Sequence, residues 1–370
     1  MILRLEDVRW EGLFPQPVGS ENLSQFAELH RGQSVLVTGA GGSIGSALSK
    51  AIHQLQPRSL VLLDSSEQNL YYIHRELSAI SLATEVFPVL GSVANPHCVR
   101  DVFRRFHPDV IYHAAALKHV PLGEMNPFAV VENNIFGTQV MADASREFGV
   151  ARLIMISTDK SVNPQSVMGA SKRVAEVVLR EACDASTRMT SIRLGNVLGS
   201  EGSVVPLFLE QIAHGGPVTV TDPDVERYFL TMEETVCRVL SAAAACPGEP
   251  AVAVPLMGSP VKIADLARYL IRQATAPHVQ ITFTGLRPGD KLHEEFVAAN
   301  ETVLGETADG LQWISSPRLP SEDLSIGLAH LEAAMEQRDL AGLLITLTRL
   351  VPEYRPTAFL REQATAVAQP

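Results

Sequence analysis

Residues 34–48 read SVLVTGAGGSIGSAL. The first part, SVLVTG, is an apolar run of the kind that forms a buried strand, and the residues from Ser43 to Leu55 have the pattern of a helix. Between them Gly39, Gly42 and Gly45 recur at three-residue intervals. Glycine suits a turn that needs positive φ, a backbone that a pyrophosphate must touch, and a helix that must pack close to the strand. The helix N-terminus adds amide donors and partial positive charge. Strand, turn and helix in this order mark a dinucleotide site built from Gly39, Gly42, Ser43, Ile44 and Gly45.

Working outward, SLVLLD (59–64) is a second buried run, followed by a helical stretch from Glu67 to Leu82, then EVFPVLG, helical PHCVRDVFRRF, and DVIYHAA. The alternation continues through a long helix at about Asn126 to Phe148, the strand ARLIMIS, a helix carrying Met168 and Lys172, and MTSIRLG. Strands alternating with helices at this spacing predict an α/β protein with a Rossmann-like, doubly wound parallel sheet. Asp64 ends the second strand, 25 residues after Gly39, where an acid accepts both ribose hydroxyls of NAD. It can also cap the next helix. Its neighbours Ser65, Ser66 and Glu67 offer no cation for a 2′-phosphate, so NAD is expected rather than NADP. After Gly199 the rhythm loosens into a smaller α/β substrate-binding lobe. The expected division is an N-terminal arm (1–32), a dinucleotide-binding domain with the catalytic residues (33–199), a mainly sugar-binding lobe (200–318) and a C-terminal helical tail (319–370).

At 370 residues the chain exceeds the usual reach of one core. Apolar residues make up 46% and charged residues 19%, which argues against wholesale disorder. The net charge of −11 disfavours a nucleic-acid binder, because phosphate neutralisation needs basic surface. Cys98, Cys183, Cys237 and Cys246 are scattered, so no metal site and no disulfide framework is expected. His113 and His119, six residues apart, lack ligand spacing and read as structural. No apolar run approaches the ~18 residues that cross a bilayer, and acids stand early in MILRLEDVRWEG, so a cytoplasmic location is expected.

Longer motifs carry a resemblance. HAAALKHVPLGEMNP, STDKSVNP, RLGNVLGSEGSVVPLF, VTDPDVERYFLT, GLRPGDKLHEE and LVPEYRP are similar to the nucleotide-sugar 4,6-dehydratases of the extended short-chain dehydrogenase superfamily. The likeness is strongest to the UDP-N-acetylglucosamine 4,6-dehydratases of bacterial glycan synthesis and runs from about residue 30 to 356. Short-chain dehydrogenases use Tyr-x-x-x-Lys; here Met168 stands four residues before Lys172, as in a subgroup of that family. A thioether is only a weak hydrogen-bond acceptor and cannot move a proton.

The resemblance implies an NAD-dependent cycle: oxidation at carbon 4, loss of the carbon 5 proton, departure of water from carbon 6, and return of the hydride to carbon 6. It assigns Thr158 to the carbon 4 hydroxyl, Asp159 to the leaving hydroxyl and the carbon 4 proton, Lys160 to the carbon 5 proton, and Lys172 to the nicotinamide ribose, with Met168 as packing. Lys160 as base requires a lowered pKa, for which burial, Lys172 and the nicotinamide would be the cause. Ala114, Ala115 and Ala116 flank the cofactor, and the adenine-side Gly-Asp of the family is here Gly91-Ser92; Ser92 can still hydrogen-bond, with adenine recognition either weakened or shifted to the Val93 backbone. Asn134, within NNIFGT, is expected to hold the active-site helix or a water rather than to touch substrate.

For the UDP-sugar, the resemblance implies a diphosphate clamp by Arg287, a ribose contact by Glu294, Asn196 on phosphate or sugar, a base pocket lined by Val205, Pro206 and Leu207, and Lys118 on the opposite wall. Ser161 stands where small apolar residues are common. Retention at carbon 5 goes with the methionine, and homo-oligomers form through helices at about Asn126 to Phe148 and Gln165 to Ala185. Alternatives are a nucleotide-sugar 4-epimerase or ketoreductase, which normally keep the tyrosine, and a non-catalytic NAD-sensing module.

Overall fold

Runs such as SVLVT and SLVLLD are apolar on both faces, so they are stable only where helices cover both sides of a sheet. In the computed structural model, which describes residues 3–14 and 22–367, they are wholly buried parallel strands. The first unit comprises β1 (Ser34–Thr38), α1 (Ser43–Gln54), β2 (Ser59–Asp64), α2 (Glu67–Ser78), β3 (Glu85–Leu90), α3 (Pro96–Phe106), β4 (Val110–His113), α4 (Gly137–Glu147), β5 (Arg152–Thr158), α5 (Val167–Ala182) and β6 (Arg188–Leu194). All six strands are parallel, in the order β3-β2-β1-β4-β5-β6.

Register places the strand ends together. Thr38 pairs with His113 and Thr158 with Leu194, so the glycine turn, Asp64, the loop after His113, Asp159 and Asn196 all follow the C-terminal edge. The order reverses between β1 and β4, the crevice where doubly wound sheets bind ligands.

The stretch 200–318 divides between two bodies. Helix α6 (Val204–Ala213), helix α8 (Ile263–Gln273) and the short strands Val218–Val220 and Ile281–Phe283 form a small lobe around Val205, Phe208, Leu266 and Leu270. Helix α7 (Met232–Ala244), β7 (Val252–Pro255), β8 (Thr302–Glu306) and β9 (Leu311–Ser315) instead join the main body. Strand β7 is parallel to β6, and the β8–β9 hairpin completes a nine-stranded sheet with β9 antiparallel to β7.

The N-terminal arm divides too. Val8 is buried in the small lobe, with Trp10, Leu13 and Phe14 packed against it, whereas Phe26 and His30 lie in the main core. The rest of the expected arm, 1–2 and 15–21, lies outside the described residues. At the other end α9 (Ser321–Glu336) and α10 (Leu340–Leu350) pack on the core, Leu331, Leu343 and Leu347 meeting Val174 and Val178 of α5 in one cluster. The chain's own helix α10 thus packs on part of α5, a helix the resemblance gives to association.

Candidate active site

The three glycines have separate reasons. Gly39 has φ +61°, and a Cβ there would lie 2.8 Å from the Ala115 backbone. At Gly45 it would fall 1.9 Å from the Gly39 carbonyl oxygen, so the close packing of α1 on the turn requires its absence. At Gly42, which precedes α1, it would meet only the Gly39 oxygen, at 3.3 Å. The protein itself gives little cause for glycine at 42; a phosphate against the helix N-terminus does. Gly41, which was not singled out from the sequence, is required because its Cβ would meet Asn69 at 2.5 Å.

Asp64 is buried and braces this turn: Oδ2 accepts from Gly41 N at 2.8 Å and Oδ1 from Ser66 N at 2.8 Å. Each oxygen keeps a further lone pair for a ribose hydroxyl. Ser65 beside it is exposed, Ser92 Oγ accepts from Ala94 N within its own turn, and Val93 is core. Across the crevice Ala115 N donates to Thr38 Oγ1, while Ala114 and Ala116 continue the wall. His113 is fully engaged, Nδ1 with Thr38 Oγ1 and Nε2 with Thr138 Oγ1, and burial and then the Lys172 charge lower its pKa to about 3. Ser43 Oγ and Lys118 Nζ both meet the backbone of Glu201, which places the 200–203 loop between the phosphate turn and the 117–120 loop.

At the end of β5 the chain enters a tight turn, Asp159–Ser161, capped by Thr158. Asp159 is fully buried. Its Oδ1 accepts from Thr158 Oγ1 at 2.8 Å and Lys160 Nζ at 2.9 Å, and its Oδ2 has no hydrogen-bond partner among the described residues. Lys160 Nζ also donates to Asn196 Oδ1 at 3.3 Å and lies 3.7 Å from Glu294 Oε1. Here the expectation for Lys160 is corrected. Burial alone would lower its pKa, but the Asp159 and Glu294 carboxylates outweigh burial and the Arg227 charge and raise it. The two carboxylates thus favour the ammonium form.

Helix α5 packs directly on this turn: a Cβ at Gly169 would fall 2.2 Å from the Lys160 carbonyl oxygen. Met168 is buried core packing, and Lys172 is buried with no protein acceptor for its Nζ among the described residues. Burial lowers the Lys172 pKa to about 8, against the pull of Glu176. Asn134 sits on a π-helical turn, Glu132–Phe136, between helical segments, and bonds Leu117 N, Leu117 O and Ser171 Oγ. It holds the active-site helix to the cofactor loop, as expected. The open face at Gly42, the free lone pairs of Asp64 and the unpartnered Lys172 ammonium fit a nicotinamide dinucleotide.

The substrate end differs more. Glu294, expected on the uridine ribose, is corrected: its side chain is 2% exposed and lies among Lys160, Lys291 (3.2 Å) and Arg227 (3.8 Å), at the reacting end. Val205 is corrected as well; it falls on the buried stripe of α6 with Phe208, Leu209 and Ile212, so only Pro206 and the exposed Leu207 face outward. Arg287 is exposed and paired with Asp290 Oδ2 at 2.8 Å in its own loop.

Beneath the turn lies a buried quartet that the sequence reading missed. Arg193 donates to Glu176 and Glu301, Arg173 to the same two carboxylates, and Ser157 and Ser161 donate to Glu176 Oε1 at 2.6 and 2.9 Å. Ser161, a departure from the family pattern, thereby ties the 159–161 turn to the ion cluster. One signal was available: an arginine inside the buried run MTSIRLG needs a buried acid.

A family model described as polysaccharide biosynthesis protein matches residues 35–314. The chain is 47% identical over 274 residues to the capsular polysaccharide biosynthesis protein CapD of Staphylococcus aureus, covering 73% of this chain and 46% of that protein. It is 32% identical over 286 residues to a UDP-N-acetylglucosamine 4,6-dehydratase (inverting) of Campylobacter jejuni, covering 75% and 80%. The chain therefore spans about half the length of its CapD relative. Among solved structures, Pen from Bacillus thuringiensis superposes with a TM-score of 0.70 at 28% identity, covering 78% of this chain and 88% of that one. A short-chain-dehydrogenase-type fold, a dinucleotide crevice and a strand-end Asp-Lys pair thus coincide with the matched region, and the chain belongs to this polysaccharide biosynthesis protein family.

Proposed function

We propose that this chain catalyses the NAD-dependent 4,6-dehydration of a UDP-hexose, with UDP-N-acetylglucosamine as substrate and a UDP-4-keto-6-deoxy sugar as product, making it a hydro-lyase. The observation that carries this reading is the Asp159–Lys160 pair at the end of β5, joined at 2.9 Å, above a Met168 that can move no proton. A dehydrogenase or epimerase needs one acid–base group; elimination needs an acid for the hydroxyl and a base for the carbon 5 proton.

Bound NAD would supply hydride acceptance at carbon 4 and the return of that hydride to carbon 6. Thr158 orients the carbon 4 hydroxyl and Asp159 takes its proton. Asp159 then passes a proton to the oxygen leaving carbon 6, while Lys160 removes the proton at carbon 5 and later restores it. Lys172 holds the ribose and Asn196 the sugar. Arg287 clamps the diphosphate once it exchanges Asp290 for phosphate, a swap open to an exposed guanidinium. Retention at carbon 5 follows the methionine, although the Campylobacter relative is named as inverting. The activity falls within glycan synthesis, as the relatives' names support.

Asp159→Asn and Lys160→Met should each lower turnover of UDP-N-acetylglucosamine by roughly 100-fold or more, the scale of a lost general acid or base. Dinucleotide binding, read by calorimetry, should persist in both. Turnover unchanged in both variants would overturn the assignment.

A further inference from the structure

The resting ammonium at Lys160 creates a problem of proton housing. To take the carbon 5 proton the amine must be uncharged, yet Lys160 is held protonated by the carboxylates around it. Between oxidation at carbon 4 and departure of water, two protons therefore need acceptors: the one from the carbon 4 hydroxyl and the one already on Lys160. Asp159 can house one, and needs it for the leaving oxygen.

A second carboxylate stands within reach. Glu294 Oε1 is 3.7 Å from Lys160 Nζ, beside the 2.9 Å Asp159 contact, brought in by the 291–294 loop. Closing the gap by about 0.7 Å would give an ordinary hydrogen bond, and the lysine stem is flexible. The Glu294 side chain is 2% exposed and its Oε2 has no hydrogen-bond partner among the described residues, although Lys291 Nζ lies 3.2 Å away. The groups facing this pair are Asp159 and Thr158 from β5, Asn196 after β6, Arg227 from the short strand Glu226–Arg227, and Lys291. Lys291 is committed elsewhere, donating to Val162 O at 2.7 Å, and Arg227 donates to the carbonyls of Glu226, Lys291 and Leu292. Among these groups Glu294 is the one, besides Asp159, able to accept a proton.

We propose that Glu294 receives the proton of Lys160 before elimination and returns it afterwards, a role resting on the dehydratase reading above. The N–H bond of the ammonium breaks and an O–H bond forms on Glu294. Neutral Lys160 then takes the carbon 5 proton as the carbon 6–oxygen bond breaks. Asp159 gives the former carbon 4 hydroxyl proton to the departing oxygen, so water leaves. Lys160 gives its proton back to carbon 5 as the hydride returns to carbon 6, and Glu294 then reprotonates Lys160. Net change is one water lost, with every side chain restored. Glu294 acts through Lys160 and is a positioning residue in that sense.

The test is the pH profile of Glu294→Gln. With UDP-N-acetylglucosamine and bound NAD, wild-type kcat should be flat from pH 7 to 9.5, because the proton stays inside the site. In E294Q it should fall about tenfold to a hundredfold at pH 7 and recover toward pH 9.5, where solvent deprotonates Lys160 beforehand. A readout free of turnover is the Cε resonance of Lys160 in carbon-13-lysine protein, assigned by its loss in Lys160→Met: its titration midpoint should drop in E294Q. An E294Q profile equal to wild type, a loss equal at every pH, or an unmoved midpoint would overturn the role. If E294Q does not fold, Glu294→Asp takes its place: a loss at pH 7 that shrinks with rising pH supports the proposal, and no loss or a uniform one overturns it. A wild type that dehydrates no nucleotide sugar would indict the dehydratase reading itself, whereas a dehydrating wild type with an indifferent E294Q indicts Glu294 alone.

Discussion

At Gly42 an added Cβ would meet only the Gly39 oxygen, at 3.3 Å, whereas at Gly45 it would fall 1.9 Å from the same oxygen. The two substitutions should therefore part company. Gly42→Ala should keep the fold, judged by thermal melting, and lose about tenfold to a hundredfold in dinucleotide affinity through displaced phosphate contacts; Gly45→Ala should destabilise the turn itself. Equal melting temperatures for the two would contradict this. Lys172 gives a second residue-scale expectation. Its pKa of about 8 means that raising pH from 7 to 9.5 removes the charge, so dinucleotide affinity by calorimetry should weaken over that interval. In Lys172→Met affinity should be lower and independent of that ionisation. The glycine spacing was legible in the sequence because local turn chemistry demands it, whereas the Asp-Lys pair was marked by the resemblance. The sign of the Lys160 shift was not: it depends on Glu294, 134 residues away in the chain, and two carboxylates outweigh the burial that had been expected to lower it.

The Asp159–Ser161 turn is held by elements rather than by itself. Helix α5 rests on the Lys160 carbonyl through Gly169, Ser166 caps it at Gly169 N, and the Glu124 carboxylate accepts from Val167 N at 2.8 Å. Below, the Arg173–Glu176–Arg193–Glu301 quartet joins β5, α5 and β6 to the 296–301 segment before β8. Arg193→Met would leave two buried carboxylates with a single arginine. Breaking a buried ion pair on one side costs about 3–5 kcal/mol, so denaturant unfolding should show a loss of that order, together with reduced turnover as Ser157 and Ser161 lose the fixed Glu176 acceptor. A loss below about 1 kcal/mol, the usual worth of an exposed pair, would contradict the buried network. Helix α5 itself was readable from its pattern, and so was the long helix before it. The π turn carrying Asn134 inside that helix was not, since one extra residue in a turn leaves no periodic trace over so short a span.

Across the molecule, the first six strands were legible because continuous apolar runs bounded by glycine and helices can pack in few ways. The placement of β7, β8 and β9 was not: which sheet a strand joins is set by distant partners, and every residue of β8 is exposed, leaving no buried face to read. The buried titratable groups also give the whole fold a pH signature. His113 is lowered from 6.5 to about 3 by burial and the Lys172 charge. Glu301 is lowered from 4.5 to about 2, the Arg193 and Arg173 partners overcoming burial. Both folded values lie below the unfolded ones, so their contribution to stability is full above pH 6.5 and 4.5 respectively and is lost as pH falls through those windows. Melting temperature should therefore decline gently below pH 6.5 and steeply below 4.5; a flat profile down to pH 3.5 would contradict it. The chemistry assigned to the strand-end pair is best examined in deuterium oxide. Purified protein given NAD and UDP-N-acetylglucosamine should yield, by proton NMR, a 4-keto-6-deoxy nucleotide sugar with no net NADH and with partial deuterium at carbon 5, because the Lys160 ammonium that reprotonates it carries exchanged deuterons beside the abstracted proton. A galacto epimer, or unchanged substrate with the dinucleotide bound, would contradict the dehydratase assignment.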